Sequence, residues 1–279
     1  MKPRTDTVTT IGSSIVQHGH LNDRIYLMHL AREDLPGLLD TLDDLARMED
    51  YSKIFAKVPA SSRDLFLIRG YVAEACIPGF FRGRIDGYFM AKYFASARSV
   101  AMTAYDDVLS AAEERGGDAS PCPLPPAFSC SSATPADAPA IAALYREVFE
   151  TYPFPIHDPD YIARTMEGEF RYYCVRACGR IVAVSSVEMD RDALAVEMSD
   201  FATHPDYRGC GLAGALLGLM ERDMQEEGML TAFTIARAAS YPVNITFARA
   251  GYAYGGTLVN NTQICGSFES MNVWYKPLF

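Results

Sequence analysis

The sequence predicts an α/β (α+β) chain, on three observations. From residue 128 to 276, apolar runs of strand length alternate with segments of helical spacing. One strand-like run, 194–203, feeds a turn, an arginine and three close glycines, Asp200 through Gly214, before a helix begins. Residues 22–94 carry a weaker echo of the same rhythm without that glycine loop.

In chain order, residues 1–20 are polar and read as a flexible segment. A first unit, 21–109, holds a strand over 22–30, an amphipathic helix over 32–48, a strand over 53–58 and a helix over 62–69. That helix closes on Gly70-Tyr71, and two further strands run to Phe94. Gly, Pro and charge cluster in 110–128, a linker. The second unit, 129–279, begins at a short strand over 128–133. A helix over 135–150 follows, with Ala140, Ile141, Leu144, Val148 and Phe149 apolar at helical spacing and Thr134 as its cap. After a short helix over 160–167, strands over 170–178 and 180–188 turn back at Gly179 as a hairpin. Then come the strand over 194–203, a helix over 212–227 ending at Gly228, a strand over 229–237 and a helix over 242–250 ending at Gly251. Strands over 252–260 and 267–276 finish the chain. SRDLFLIRGY and PVNITFARAGY both close a helix on Gly-Tyr, and FMAKYF and VWYKPLF are both aromatic last strands. These pairs mark the first unit as a degenerate half-domain of similar type, without the ligand loop.

With 279 residues, 49% hydrophobic and 22% charged, the chain can bury a sizeable core. Its net charge of -10 argues against nucleic acid or an anionic membrane as partner and suits a small cationic substrate. The seven cysteines are an odd number, and the Cys174-x-x-x-Cys178 pair on a predicted strand has no second Cys/His pair to complete a metal site. No metal is expected, and reduced thiols suit a cytoplasmic protein. The first 20 residues lack an apolar signal core, and no apolar run is long enough to span a membrane.

The glycine loop carries the chemistry. Glycine lets a backbone approach a ligand without a Cβ in the way, and free N–H groups at a helix start, with the helix dipole, favour an anion. The loop is therefore a site for phosphate or pyrophosphate. Gly209-x-Gly211-x-x-Gly214 is a literal G-x-G-x-x-G, the dinucleotide fingerprint. That reading wants an acidic residue at the end of the next strand, and Leu230 to Arg237 ends in none. Arg208-x-x-Gly211-x-Ala213 fits a second pattern, R/Q-x-x-G-x-G/A. It resembles the acyl-CoA pyrophosphate loop of the GCN5-related N-acetyltransferases (GNAT), whose order of strand, loop, helix, strand, helix, strand, strand the following residues supply.

Residues 129–279 resemble a complete domain of that family. Nearly the whole chain is similar to the β-lysine N6-acetyltransferases, which make the compatible solute Nε-acetyl-β-lysine. The segments behind this are NDRIYLM (22–28), YSKIFAKVP (51–59), EACIPGFF (74–81), FMAKY (89–93), SDFAT (199–203), Gly251-Tyr252, Asn260-Asn261 and ESMNVWYK (269–276). The resemblance implies the GCN5-related acetyltransferase fold, a mixed, mostly antiparallel central sheet with helices on both faces. It implies acetyl-CoA as co-substrate and a small-molecule amine, β-lysine or a similar diamino acid, as acceptor; a homodimer is compatible with it. Another small amine, a protein lysine, or a non-catalytic acyl-CoA-binding role are the alternatives.

Acetyl transfer needs a neutral amine and a stabilised thioester oxygen. By resemblance, a backbone N–H around Phe201, Ala202 and Thr203 faces that oxygen, and Arg208, Gly209, Cys210, Gly211, Leu212, Ala213 and Gly214 hold the pyrophosphate. Glu197 and Asp200 are the candidate bases. A spacing of three on a strand points them to opposite faces, so one is expected to reach the substrate. Asp200 is favoured as nearest the thioester. By resemblance Asn244 meets the pantetheine or phosphate, and Phe247 stands where the family often has a thiolate-protonating Tyr, leaving Tyr241 or Tyr252 to replace it. Tyr152, Phe154 and His157 lie where the family builds its acceptor pocket.

Overall fold

The computed structural model describes residues 6–100, 105–117, 124–264 and 266–279. The amino-terminal half holds β1 (Thr7–Ile11), β2 (Ser14–Gly19), β3 (Arg24–His29), α1 (Gly37–Met48), β4 (Lys53–Pro59), α2 (Ala60–Ile68), β5 (Val72–Phe81) and β6 (Ile85–Tyr93). After α3 (Tyr105–Glu113) come β7 (Phe128–Ser132), α4 (Ala138–Val148), α5 (Pro159–Thr165), β8 (Phe170–Ala177), β9 (Arg180–Asp190) and β10 (Ala195–Thr203). The chain closes with α6 (Leu212–Glu226), β11 (Thr231–Arg237), α7 (Tyr241–Arg249), β12 (Ala253–Ile264) and β13 (Ser267–Pro277).

All the described strands form one sheet in the order β1-β2-β3-β4-β6-β5-β12-β13-β11-β10-β9-β8-β7. Only β3–β4 and β10–β11 pair in parallel, so the sheet is mixed and mostly antiparallel, as expected. Read outward from the β5–β12 seam, the two sides match: β5-β6-β4-β3-β2 against β12-β13-β11-β10-β9. The helix endings match as well. Phe66 and Tyr71 meet edge-to-face at 4.9 Å, and so do Phe247 and Tyr252. Lys92 Nζ lies 5.5 Å from the Tyr71 ring centre and reaches Asp43 of α1, while Lys276 Nζ lies 5.6 Å from the Tyr252 ring centre and reaches Glu221 of α6.

At the seam the backbones come very close. A Cβ on Gly256, whose φ is +137°, would lie 2.2 Å from the Glu74 carbonyl oxygen, so only glycine lets β12 meet β5 there. Glu74 then fastens the halves, accepting from Lys53 Nζ at 2.9 Å and from the Val259 N–H at 2.9 Å, with the Tyr93 hydroxyl as a third donor. Lys53 also donates to the Val259 carbonyl at 2.7 Å.

The halves also meet above the sheet: Phe80 and Phe89 of the first approach Phe233 of the second at 5.2 and 6.3 Å, and Lys57 Nζ sits 3.6 Å from Asp190. Helices α1 and α2 bury Leu38, Leu39, Leu42 and Phe66 against Ile25, Leu27 and Ile54. Leu216, Leu217 and Met220 of α6 pack with Phe247 of α7, and Ile141 and Tyr145 of α4 pack with Ile162 of α5 in a separate cluster.

Four expectations change. Residues 7–19 are a hairpin, not a flexible segment; the Asp34 carboxylate holds its turn through the N–H groups of Ser13 and Ser14 at 3.0 and 2.8 Å. Helix α1 starts at Gly37 rather than 32, because Arg32–Asp34 form a separate 3-10 turn and Pro36, the N-cap of α1, disfavours helix in Leu35 before it. Helix α3 runs across the expected boundary at 109/110 and packs into the second half's core through Leu109 and Ala112. Cys178 lies in the turn after β8 with φ +48°, off the strand that carries Cys174. No described helix is long and apolar enough to cross a membrane.

Candidate active site

The site begins where two parallel strands part. β10 pairs with β11 only from Ala195–Glu197 against Thr231–Phe233. Beyond that, β11 continues along β13 to Arg237 while β10 runs on to Thr203. The edge of β10 facing β11 is thus left open over 198–203, offering main-chain donors to a ligand laid between the strands. Phe201, half-buried at this edge, packs edge-to-face on Phe247 at 5.5 Å; Ala202 is buried, and Thr203 ends the strand.

The glycine loop follows at the mouth of the opening. Arg208, Gly209, Cys210 and Gly211 are all exposed, and Arg208 makes no side-chain hydrogen bond or ion pair among the described residues. Gly211 is the N-cap of α6 in the left-handed conformation, φ +73°. The first-turn N–H groups of Leu212, Ala213 and Gly214 have no intrahelical acceptor, as at any helix start. A Cβ on Gly209 or Gly214 would meet nothing within 4 Å, so packing does not require glycine at either position. The space is open for a ligand, and Gly214 keeps it at a cost to helix stability.

Over one face of the sheet lies a cavity of about 840 Å³ between the halves, lined by Tyr26, Phe55 and Lys57 from the first and by Tyr152, Phe154, Glu188, Glu197, Asp200 and Phe233 from the second. Its size suits a small organic ligand. Glu197 and Asp200 both line it, against the expected alternation. Ser199 pairs with Ser186 and Ala202 with Val184, so Asp200 and Phe201 together oppose Ser185. This β-bulge, with Asp200 at φ +56°, turns the Asp200 side chain to the face that Glu197 already occupies.

The two carboxylates are held differently. Asp200 accepts from the Tyr152 hydroxyl, from Ser186 Oγ at 2.7 Å and from Ser199 Oγ at 3.3 Å. Burial raises its pKa against those three hydrogen bonds. The Glu197 side chain has no hydrogen-bond partner among the described residues. Burial first, then Glu188 beside it, pushes its pKa up to about 8, with Lys57 opposing. Glu188, raised by burial, stands directly across the ladder from Glu197. Sequence reading missed it, because its place opposite Glu197 depends on the β9–β10 register.

Tyr152 and Phe154 do line the cavity, and Tyr152 is fixed by Asp200. His157 does not: its backbone carbonyl accepts from Arg146 at 2.5 Å, and burial and Arg146 lower its pKa. Asn244 is corrected too. Its amide donates to the Arg237 and Ser240 carbonyls at 3.0 and 2.8 Å, and its oxygen accepts from Asn272 and Trp274 at 2.9 and 2.8 Å. Every donor and acceptor is used in tying α7 to β11 and β13, leaving nothing for a ligand. Phe247 is 1% exposed and reaches the open edge of β10 only through Phe201. Of the replacement tyrosines, Tyr252 is buried beside Phe247 and Lys276, and Tyr241 is exposed at the start of α7.

Parted parallel strands with a glycine loop at a helix start are what the resemblance to the GCN5-related N-acetyltransferases implies, and the comparisons establish the class, an acyl-CoA-dependent N-acyltransferase. The acetyltransferase (GNAT) family model matches residues 140–252. The chain is 40% identical over 273 residues to the β-lysine N(6)-acetyltransferase of Methanococcus maripaludis, covering 97% of this chain and 98% of that one. It is 31% identical to the β-lysine N(6)-acetyltransferase of Methanosarcina mazei, covering 88% and 97%. To the N-acetyltransferase YodP of Bacillus subtilis it is 28% identical, covering 95% and 96%. The chain belongs to the acetyltransferase (GNAT) family and is an acetyl-CoA:amine N-acetyltransferase, as its sequence implied.

Proposed function

We propose that this enzyme moves the acetyl group of acetyl-CoA to the side-chain amine of β-lysine, giving Nε-acetyl-β-lysine. The observation that carries this reading is the cavity, where Glu188, Glu197 and Asp200 face one space beside the open edge of β10. Three acidic groups suit a cationic amine and sit where a thioester along β10 would be attacked. The near-full-length similarity to two β-lysine N(6)-acetyltransferases supports the choice of amine.

In this reading the segment from Arg208 to Gly214, an exposed loop to Gly211 and then the first turn of α6, holds the pyrophosphate, with first-turn N–H groups and the Arg208 guanidinium as donors. Main-chain N–H groups of the bulged segment, Phe201 to Thr203, receive the thioester oxygen as negative charge develops on it. Acetyl-CoA supplies the acetyl group and a thiolate able to leave unassisted. Glu197 takes the proton from the attacking amine, directly or through water. Its raised pKa brings it nearer the amine's own, about 10.4. Asp200, already engaged by three hydroxyls, orients the ammonium before it loses its proton. The amino-terminal half is a degenerate copy of the catalytic half: β3 pairs with β4 over Arg24–Leu27, and no glycine loop follows β3. Acetylation removes one positive charge from β-lysine and leaves a net-neutral zwitterion, a fitting compatible solute.

The test is thiol release from acetyl-CoA by the purified enzyme, with β-lysine, α-lysine and a lysine peptide as acceptors, and mass spectrometry of the product. Preferential turnover of β-lysine is expected. Turnover of the peptide but not β-lysine would sink the choice of substrate, and coenzyme A binding without turnover of any amine would leave an acyl-CoA-binding regulator.

A further inference from the structure

We propose that Arg24, Gln17 and Asn261 form a subsite for the amino-acid head of the substrate, its carboxylate and the neighbouring ammonium, built mainly by the amino-terminal half. This rests on the acetyl-transfer reading of the same cavity. Alternation along β3 puts Arg24, Tyr26 and Met28 on the cavity face, and the β2–β3 register sets Gln17 opposite Tyr26. Asn261 comes from β12, beyond the seam.

All three residues line the cavity, all are deeply buried, at 5%, 2% and 2% exposure for Arg24, Gln17 and Asn261, and each holds a buried polar atom without a hydrogen-bond partner. Arg24 spends only Nη1 on the protein, donating to the Asn261 carbonyl and to Thr262 Oγ1, the latter at 3.2 Å. Its Nε has no partner, and none is formed by Nη2 among the described residues. That edge of a guanidinium receives a carboxylate through two parallel hydrogen bonds. The guanidinium is braced by the rings of Tyr26 and Phe55, at 5.5 and 5.7 Å, and makes no ion pair among the described residues. A buried charge left so, beside buried unused acceptors, is costly unless a ligand completes it. Gln17 Oε1 and Asn261 Oδ1 are the other unused atoms, and both accept. A carboxylate on Arg24 with an ammonium between two amide oxygens is the zwitterionic head of an amino acid.

The cavity therefore has two ends, this head subsite, with Asp6 also on the lining, and the group of Glu188, Glu197 and Asp200, with Lys57 beside it. Tyr26 stands between them: its hydroxyl feels Glu197 and Glu188, and Arg24 opposes them. A diamino acid with its head on Arg24 presents only its far amine to the acids, which accounts for side-chain rather than head-amine acetylation. The half that has no glycine loop then serves as the specificity wall.

The test compares kcat/KM for β-lysine and for 1,4-diaminopentane, the same two amines at the same spacing without the carboxylate. The wild-type enzyme should prefer β-lysine by about 10²-fold, as expected for a charge-assisted pair. In Arg24→Met the two substrates should converge, through loss on β-lysine, with coenzyme A affinity by calorimetry retained. Gln17→Leu, which leaves the guanidinium in place, should lower kcat/KM for β-lysine about 10-fold. Equal use of both amines by the wild-type enzyme would overturn the subsite without needing any variant to fold, as would an Arg24→Met enzyme that loses both equally. A wild-type enzyme that turns over other amines but not β-lysine would instead refute the substrate assignment.

Discussion

Glu197→Gln separates the chemistry from the packing, because its effect on stability and its effect on rate have different pH dependences. The Glu197 carboxyl titrates near 4.5 when unfolded and near 8 when folded, raised by burial and then by Glu188. The folded state therefore holds the proton longer. The stabilisation is complete below about 4.5 and is lost as pH rises through about 8. Between pH 6 and 8 the wild-type protein should lose about 2 kcal/mol from this group alone. Glutamine cannot ionise, so that slope should vanish in the variant, which becomes relatively more stable at pH 8. Urea unfolding of both proteins at pH 6 and 8 measures the difference. On the rate side, removing a general base should cut kcat/KM by about 10²–10⁴. The wild-type kcat/KM should climb with pH to a midpoint near 8, and Glu197→Gln should lack that limb. Parallel stability profiles together with a near-normal rate at pH 7 would remove Glu197 from the base role.

Asp200→Asn should cost about 10- to 10²-fold in kcat/KM, the range for a lost charge-assisted contact. A loss larger than that of Glu197→Gln would exchange the two roles. Gly211→Asp places a side chain and a negative charge at a left-handed N-cap beside the assigned pyrophosphate, so calorimetry should detect no coenzyme A binding while the circular dichroism spectrum is kept. Unchanged affinity would dismiss the loop. Glu74→Ala leaves the Lys53 ammonium, at 0% side-chain exposure, without its anion at the seam between halves. It should destabilise the protein by about 3–5 kcal/mol, read from the urea midpoint, and a loss below about 1 kcal/mol would show that the seam is held by the strands alone.

Local pattern carried much of the fold. Alternation and helical spacing marked most of the elements, because each rests on neighbours a few residues apart. The glycine loop was legible because glycine takes at little steric cost the left-handed conformation that Gly211 adopts at the start of α6. What escaped was decided across the sheet. The short polar strands of the first hairpin carry no apolar alternation, and their turn is secured by Asp34, about 20 residues on. Parity placed Glu197 and Asp200 on opposite faces until the bulge against Ser185 brought them together, and the same register set Glu188 beside them. Asn244 looked available until Asn272 and Trp274, 28 and 30 residues away, used its oxygen. Arg24 reaches the cavity only because the sheet sets it against Asn261, 237 residues later. A sequence determines which side chains can do chemistry and which local conformations they favour; register, bulges and distant partners decide which of them share a cavity and which are already satisfied, because those depend on contacts that no local spacing encodes.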